Sequence, residues 1–319
     1  MWLVIGVNNK NRLWYKYVIR TRMDFTMGMS ATIKVALELH QLGHFKNFSS
    51  VIDIGSQELH IDFEKFKYWV KQTNLQFNEE QFYNLKNHPG FPRQPTKEFW
   101  KLLGFTNTVC LDINDQHDSI YCDLNFPFDD INHNGKYDLV TDFGNNEHPF
   151  NVVEAYKTMH KLSKKNGYLW IDQSVFNGNG YFNFDIPFFE GLAAANNYSV
   201  IYSAYTIATA NGEQYHLPCD KGIIDSINLN KVVDLGISYI FKKNEENSFQ
   251  YCYQDEVTQG NKETIYRTSF ITDKFPPDRV WIPSHWSIIL KGKRGREALM
   301  LLIKSIIKEK LKLGNRSNK

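Results

Sequence analysis

The stretch Val51–Asp62, VIDIGSQELHID, is the strongest indication of the fold in this sequence. Its first four residues are mostly apolar, and the chain then meets Gly55-Ser56. A short apolar run that stops at a glycine is typical of a buried strand of a parallel sheet followed by a tight turn. Because open α/β sheets bind ligands beyond the carboxyl ends of their strands, this turn is a candidate binding site. The alternative is an ordinary strand that ends in a β-turn.

The composition is that of a globular protein with an uneven distribution of charge. The 319 residues are 42% hydrophobic and 23% charged, enough for one large α/β domain with additions or for two modest domains. Residues 291–319 contain ten Lys or Arg and two Glu, a local net charge of +8 in a chain whose total is +2. The remaining residues therefore carry a net charge of −6. No nucleic-acid acceptor is expected, because no basic stripe crosses the predicted core.

The sequence contains neither a membrane-spanning run nor the core of a signal peptide. No stretch approaches the roughly 18 to 20 consecutive apolar residues of a transmembrane helix, and the apolar run near the N-terminus is too short for a secretion signal. The cysteines lack the spacing of metal ligands, so no metal site is predicted. We expect a cytoplasmic protein without a transmembrane segment.

Strands and helices alternate along the centre of the chain. A helix over residues 30–42 leads into the Val51 strand, and a long segment over residues 63–105 then interrupts the alternation. Further helices are predicted over residues 149–165 and 187–196. Further strands are predicted over residues 107–114, 119–125, 137–144, 168–172, 198–205 and 236–242, the last as an antiparallel edge. This alternation predicts an α/β fold with a doubly wound, mostly parallel seven-stranded sheet. Residues 1–28 show no clear period.

Acidic residues close several of these strands, and the ordered set resembles the class I S-adenosylmethionine-dependent methyltransferases. The resemblance covers roughly residues 45–245 and implies an N-terminal extension with a helix (1–44), an α/β domain (45–245, with an insertion at about 63–105) and a C-terminal extension (246–319). In that family the strand ends and their turns hold S-adenosylmethionine. The resemblance implies cofactor contacts from Asp53, Gly55, Ser56, Gln57, Asp112, Ile113, Asp123, Leu124, Asp142, Phe143 and Gly144.

Two of these carboxylates carry specific expectations. The resemblance implies that Asp112 binds the ribose hydroxyls and that Asp123 faces the adenine amino group. The chemistry agrees, because one carboxylate can accept both hydrogen bonds of a ribose diol, and an amino group also needs an acceptor. Acids at strand ends are also common as turn residues and helix caps, and this alternative stays open for Asp112, Asp123 and Asp142.

The sequence departs from the family pattern at the first turn. The family has further glycines where this chain has Gln57 and Leu59, and Asp112 follows Gly55 by 57 residues instead of about 20. The inserted residues either form a lid and a wall for the substrate, or the cofactor site is altered.

Residues just beyond the fourth strand are candidates for catalysis. Methyl transfer needs in-line positioning and, for a hydroxyl or amine acceptor, removal of a proton. His148 suits a general base, since histidine as a residue type titrates near neutral pH, and Glu147 stands beside it. Both residues could instead be ordinary residues at a helix start. The glycine- and aromatic-rich stretch 177–184 could cover an acceptor or pack as a core flap.

The sequence therefore predicts transfer of a methyl group from S-adenosylmethionine to the oxygen of a small metabolite or a sugar unit. One alternative is a nicotinamide-dependent oxidoreductase, although the first turn supplies only one glycine of the three in G-x-G-x-x-G. Another is a non-catalytic binding or assembly protein that kept the fold. A basic amphipathic helix over residues 291–312 is expected to dock on the domain, with contact to an anionic surface as the alternative.

Overall fold

The computed structural model describes residues 2–7, 13–18, 29, 31–60, 63–73, 75, 77, 80, 93–114, 116–176, 178–208, 214–220, 222–223, 232 and 234–253. Its helices are α1 (Ala31–Gln41), α2 (Phe63–Gln72), α3 (Lys97–Leu102), α4 (Val152–Leu162) and α5 (Ile186–Ala195). Its strands are β1 (Trp2–Val7), β2 (Leu13–Val18), β3 (Ser50–Ile54), β4 (Glu58–His60), β5 (Arg93–Pro95), β6 (Asn107–Asp112), β7 (Ile120–Tyr121), β8 (Tyr137–Phe143), β9 (Ser163–Phe176), β10 (Tyr198–Ala208), β11 (Gln214–Leu217) and β12 (Asp234–Lys243). The predicted basic helix over residues 291–312 lies outside the described residues.

A mixed sheet of eight strands organises this part of the chain, in the order β11-β10-β12-β9-β8-β3-β6-β7. The five strands from β7 to β9 are parallel, with β3 between β6 and β8. The chain leaves β3 towards β6 and β7, and then returns to the other side of β3 to form β8. Such a reversal of strand order is the topological switch point at which open α/β sheets bind ligands. The switch point here lies at the ends of β3 and β8, beside Gly55 and Asp142.

The prediction of seven strands with residues 236–242 at the edge needs correction. β12 lies between β9 and β10 and is antiparallel to both, and β11 occupies the edge. Seven consecutive residues of β12, Leu235–Phe241, are buried, which is the pattern of a strand covered on both faces. The edge strand is only four residues long, QYHL, and too polar for its sequence to predict a strand.

Helices cover both faces of the sheet, which explains its long apolar strands. On one face α1, α2 and α3 pack with Trp170 and Phe143 into one hydrophobic cluster. On the other face α4 and α5 pack with the opposite side chains of the same strands into a second cluster. The predicted doubly wound arrangement of helices is therefore confirmed. Among the described helices, none is long and apolar enough to cross a membrane.

Several predicted boundaries shift by a few residues. The predicted third strand shortens to Ile120–Tyr121. β9 begins at Ser163, directly after α4, so the predicted turn at Asn166-Gly167 lies inside this strand. Asn166 has φ +62°, and the register against β8 shifts there between Tyr137 and Leu139. The turn residues therefore form an irregularity in β9 rather than the end of a helix.

The inserted segment after β3 is connected to the sheet at both ends through a two-stranded antiparallel ribbon. β4 pairs with β5 through Glu58–Pro95 and His60–Arg93, and the Thr96 N–H donates to the Gln57 carbonyl (3.2 Å). The ends of the inserted segment are thus held together next to the Gly55 turn. Residues 1–28, which show no clear period in the sequence, include the antiparallel hairpin of β1 and β2.

Candidate functional site

The turn after β3 is shaped around Gly55. Its φ is +85°, a conformation that only glycine adopts without strain, and a Cβ would lie 2.7 Å from Asn145 Oδ1. The side chain of Asn145, from the loop after β8, therefore lies directly against Gly55. Gln57 turns its buried side chain inward and donates from Nε2 to the Ile54 carbonyl (2.7 Å). Gln57 thus stabilises the turn that the resemblance assigns to the cofactor.

Asp112 ends β6 and holds the same turn from the other side. Its Oδ2 accepts from the Ser56 N–H (2.6 Å), and its Oδ1 accepts from the Asn114 N–H (3.1 Å). The Ser56 hydroxyl donates to Asn114 Oδ1 (3.0 Å). An ionised carboxylate has about four acceptor positions, so two remain for a ligand after these two bonds. Asp112 is only partly buried, and Ile113 beside it is 61% exposed.

Asp123 lies on the neighbouring strand end, next to Asp112. The Cys122 N–H donates to the Asp112 carbonyl (2.9 Å), which fixes the two strand ends side by side. One oxygen of Asp123 accepts from the backbone and side-chain nitrogens of Asn125 (both 2.9 Å). Its other oxygen accepts no hydrogen bond from the described residues. Leu124, also predicted to contact the cofactor, packs in the hydrophobic core.

The structure gives Asp53 a role that the sequence did not predict. The Thr96 and Thr141 hydroxyls donate to its carboxylate, and Trp100 Nε1 lies 3.1 and 3.2 Å from its two oxygens. Burial raises the pKa of Asp53 to about 6, although these hydrogen bonds lower it. The carboxylate therefore ties Thr96 and Trp100, at the start of α3 and within it, to the sheet. The sequence around Asp53 does not indicate this role, because its partners Thr96 and Trp100 belong to the inserted segment, far along the chain.

The side chain of Asp142 also accepts hydrogen bonds from within the protein. It is fully buried, and it accepts from the Asn145 and Asn146 N–H groups (2.9 and 3.2 Å) and from Gln173 Nε2 (2.5 Å). Burial raises the pKa of Asp142 to about 8, and the backbone hydrogen bonds oppose this shift. Phe143 packs edge-on against Trp170 in the core. Together Asp142 and Gly144, whose φ is +79°, shape the loop after β8.

The candidate catalytic residues lie in that loop. The Glu147 side chain is buried, and its Oε2 accepts from the Ser174 N–H (3.1 Å). His148 is partly exposed, and its Nε2 lies 3.8 Å from Glu147 Oε1. The buried carboxylate of Glu147 thus lies beside the partly exposed imidazole of His148.

The loop of residues 178–184 lies directly on Glu147. A Cβ at Gly180 would be 2.5 Å from the Glu147 carbonyl oxygen, so only glycine permits this approach. The Tyr181 N–H donates to that same carbonyl (2.7 Å). Phe184 is buried in the core, whereas Tyr181 is exposed. Phe184 therefore packs as the core-flap interpretation predicts, and the interpretation that this stretch covers an acceptor stays a prediction for the exposed Tyr181.

A small polar cavity lies below the edge, between β6 and the turn that follows it. Its volume is about 120 Å³, and Asp53, Thr96, Cys110 and His117 are among the residues that line it. Ligand pockets for drug-sized molecules have volumes of roughly 300 to 1,000 Å³, so this cavity is too small for a nucleoside cofactor.

No protein-family model matches the sequence, and no curated protein does either. Several solved structures similar to this chain are methyltransferases. A 1,6-didemethyltoxoflavin-N1-methyltransferase of Burkholderia thailandensis with bound S-adenosylhomocysteine is 11% identical over 67% of this chain and 81% of its own, with a TM-score of 0.34. A SAM-dependent methyltransferase of Archaeoglobus fulgidus is 12% identical over 66% and 93%, also with a TM-score of 0.34. A putative methyltransferase of Bacillus halodurans is 10% identical over 68% and 100%, with a TM-score of 0.31.

These structures belong to the same class of protein that the sequence resembles. At such identities and TM-scores they do not support a particular site or activity for this chain.

Proposed function

We propose that this chain is an S-adenosylmethionine-dependent methyltransferase that binds the nucleoside half of its cofactor across the ends of β6 and β7. The observation that carries the proposal is the pair of neighbouring carboxylates, Asp112 and Asp123, beside the Gly55 turn at the switch point. Asp112 has two acceptor positions for the ribose hydroxyls, and Asp123 has one oxygen for the adenine amino group. The exposed side chain of Ile113 offers an apolar surface for the base.

The proposed acceptor is a small metabolite or a sugar unit with a hydroxyl group near His148. When bound, the cofactor supplies a methyl group on a positively charged sulfur, which leaves as a neutral thioether. An oxygen lone pair of the acceptor forms the new bond to the methyl carbon, the electron pair of the carbon–sulfur bond stays on sulfur, and the hydroxyl proton passes to His148. Glu147, whose Oε2 accepts from the Ser174 N–H, lies beside this imidazole, with its Oε1 3.8 Å from His148 Nε2.

The structure bears on two alternatives, an oxidoreductase and a non-catalytic binding protein. A nicotinamide-dependent oxidoreductase is disfavoured, because antiparallel β12 lies beside β9, where the dinucleotide-binding sheet has its sixth strand. A non-catalytic binding protein is the second candidate. It is favoured by Asn145, whose side chain occupies the space in front of Gly55. Binding of S-adenosylhomocysteine without methyl transfer to any acceptor would support this second candidate.

Thermal unfolding with three nucleoside ligands tests the cofactor. A ligand at 100 times its dissociation constant stabilises the folded state by about 2.7 kcal/mol, which corresponds to roughly 5 to 11 °C in melting temperature for a domain of this size. We expect this shift with S-adenosylmethionine and S-adenosylhomocysteine, and no shift with NAD. A shift with NAD alone would contradict the proposal and favour the oxidoreductase.

A further inference from the structure

Two exposed aromatic side chains lie next to the candidate base. Phe150 is 79% exposed and Tyr181 is 73% exposed, although most aromatic side chains of the described residues are buried or partly buried. Their ring centroids are 6.1 Å apart, and the rings meet edge to face. Phe150 follows His148 by two residues, and the Tyr181 backbone is bonded to Glu147 (2.7 Å). The pair therefore belongs to the same edge of the sheet as the candidate catalytic residues.

The backbone around this aromatic pair is fixed at several points. The His148 N–H donates to the Asn145 carbonyl (3.0 Å). Asn151, after Phe150, donates from its N–H to Asn125 Oδ1 and from Nδ2 to the Asn125 carbonyl (both 3.0 Å). These bonds join the loop after β8 to the loop after β7. Aromatic rings that are exposed on an anchored backbone form a preorganised surface for a ligand.

From this surface we infer that the acceptor of the proposed reaction is a planar aromatic hydroxyl compound, which stacks against Phe150 and Tyr181 with its hydroxyl towards His148. The inference rests on the proposed function and deepens it. It names an aromatic acceptor, whereas the sequence pointed only to a small metabolite or a sugar unit.

The size of the surface fits a small molecule. An aromatic side chain buries about 150 to 250 Å² when it is fully covered, so the two rings together provide at most about 300 to 500 Å². A stable protein–protein interface buries about 800 Å² on each partner. Two rings edge to face instead match a ligand of one or two rings, since aromatic groups prefer edge-to-face and offset contacts at 4.5 to 7 Å.

The chemistry of proton removal also favours a phenolic hydroxyl. A phenol loses its proton with an ordinary pKa of about 10, whereas the value for water is about 15.7. A histidine base is therefore better matched to a phenolic hydroxyl than to a much less acidic aliphatic one.

Ligand-observed NMR tests the aromatic surface without any methyl transfer. Catechol and 2,3-dihydroxynaphthalene serve as planar probes, and glucose and myo-inositol serve as non-planar polyols. We expect the two planar compounds to bind the wild-type chain and the polyols not to bind. Phe150→Ala and Tyr181→Ala should each weaken binding of 2,3-dihydroxynaphthalene by roughly tenfold.

Two further variants show whether binding depends on a planar ring or only on an apolar side chain. Tyr181→Phe keeps the ring and should bind like the wild type, whereas Phe150→Leu keeps an apolar side chain but not the plane and should bind like Phe150→Ala. Tyr68→Ala, which removes an exposed aromatic side chain from α2, is the matched control and should change nothing. Equal binding by Phe150→Ala, Tyr181→Ala and wild type would overturn the inference, as would preferential binding of the polyols.

The melting shift with S-adenosylhomocysteine, measured on the same variants, keeps the two proposals distinguishable. We expect Phe150→Ala and Tyr181→Ala to retain the full shift, because neither residue is assigned to the cofactor. Planar probes that bind while the cofactor produces no shift would contradict the proposed function and leave the aromatic surface standing. A normal cofactor shift without binding of the planar probes would overturn the aromatic acceptor alone.

Discussion

Replacing Asp53 with alanine is expected to lower the free energy of unfolding by about 3 to 5 kcal/mol, because the change leaves buried donors without an acceptor. The Thr96 and Thr141 hydroxyls and the Trp100 indole N–H all donate to this carboxylate, and all three residues are buried. The melting temperature should fall by roughly 6 to 20 °C. Asp118→Asn, which removes an exposed charge from a nearby turn and tolerates the φ of +59° at this position, is the control and should melt like the wild type. A melting temperature of Asp53→Ala within about 2 °C of the wild-type value would contradict this role.

The pH dependence gives a second readout of the same carboxyl group. Burial raises its pKa from the ordinary value of 3.8 to about 6 in the folded chain. Since the folded state binds this proton more tightly than the unfolded state, the resulting stabilisation is fully present below about pH 4 and is lost as the pH rises through 6. Asp53→Asn does not titrate and should lack this part of the pH dependence. Chemical denaturation of both proteins at several pH values between about 4 and 7.5 measures the difference.

Replacing Asp112 with alanine is expected to weaken S-adenosylhomocysteine binding by about 100-fold or more. Each hydrogen bond to a charged group contributes about 1.5 to 3 kcal/mol, and two such bonds to the ribose would be lost. Asp118→Asn removes the same charge from the neighbouring loop and should retain wild-type affinity. Titration calorimetry measures the dissociation constants, and thermal unfolding shows whether each variant is folded. A folded Asp112→Ala protein with unchanged affinity would make Asp112 a turn residue that holds only Ser56 and Asn114.

The sequence predicted the elements whose signals are local. The apolar run before Gly55 is β3, and the acid predicted to close the next strand of the sheet, Asp112, ends β6. The helix predicted over residues 30–42 is α1. These predictions succeeded because strand burial, glycine turns and helix stop signals each depend on a few consecutive residues.

Features that depend on distant contacts were not predictable in the same way. Asp53 and Asp112 have the same strand-end pattern, but only the folded chain brings Thr96 and Trp100 onto Asp53. The position of β12 inside the sheet depends on pairing with β9 and β10, which its own sequence does not specify. Phe150 and Tyr181 do not differ from other aromatic residues in the sequence, and only the folded chain shows that both side chains are exposed and in contact with each other.

Hydrogen–deuterium exchange with and without saturating S-adenosylhomocysteine tests the cofactor site most directly. The N–H groups of Ser56 and Asn114 donate to Asp112, and the Asn125 N–H donates to Asp123. These three amides therefore report on the proposed nucleoside site. We predict that exchange slows in peptides that cover residues 55–57, 112–114 and 123–125. Unchanged exchange in all three peptides, when the melting shift shows that the ligand is bound, would contradict the proposed site.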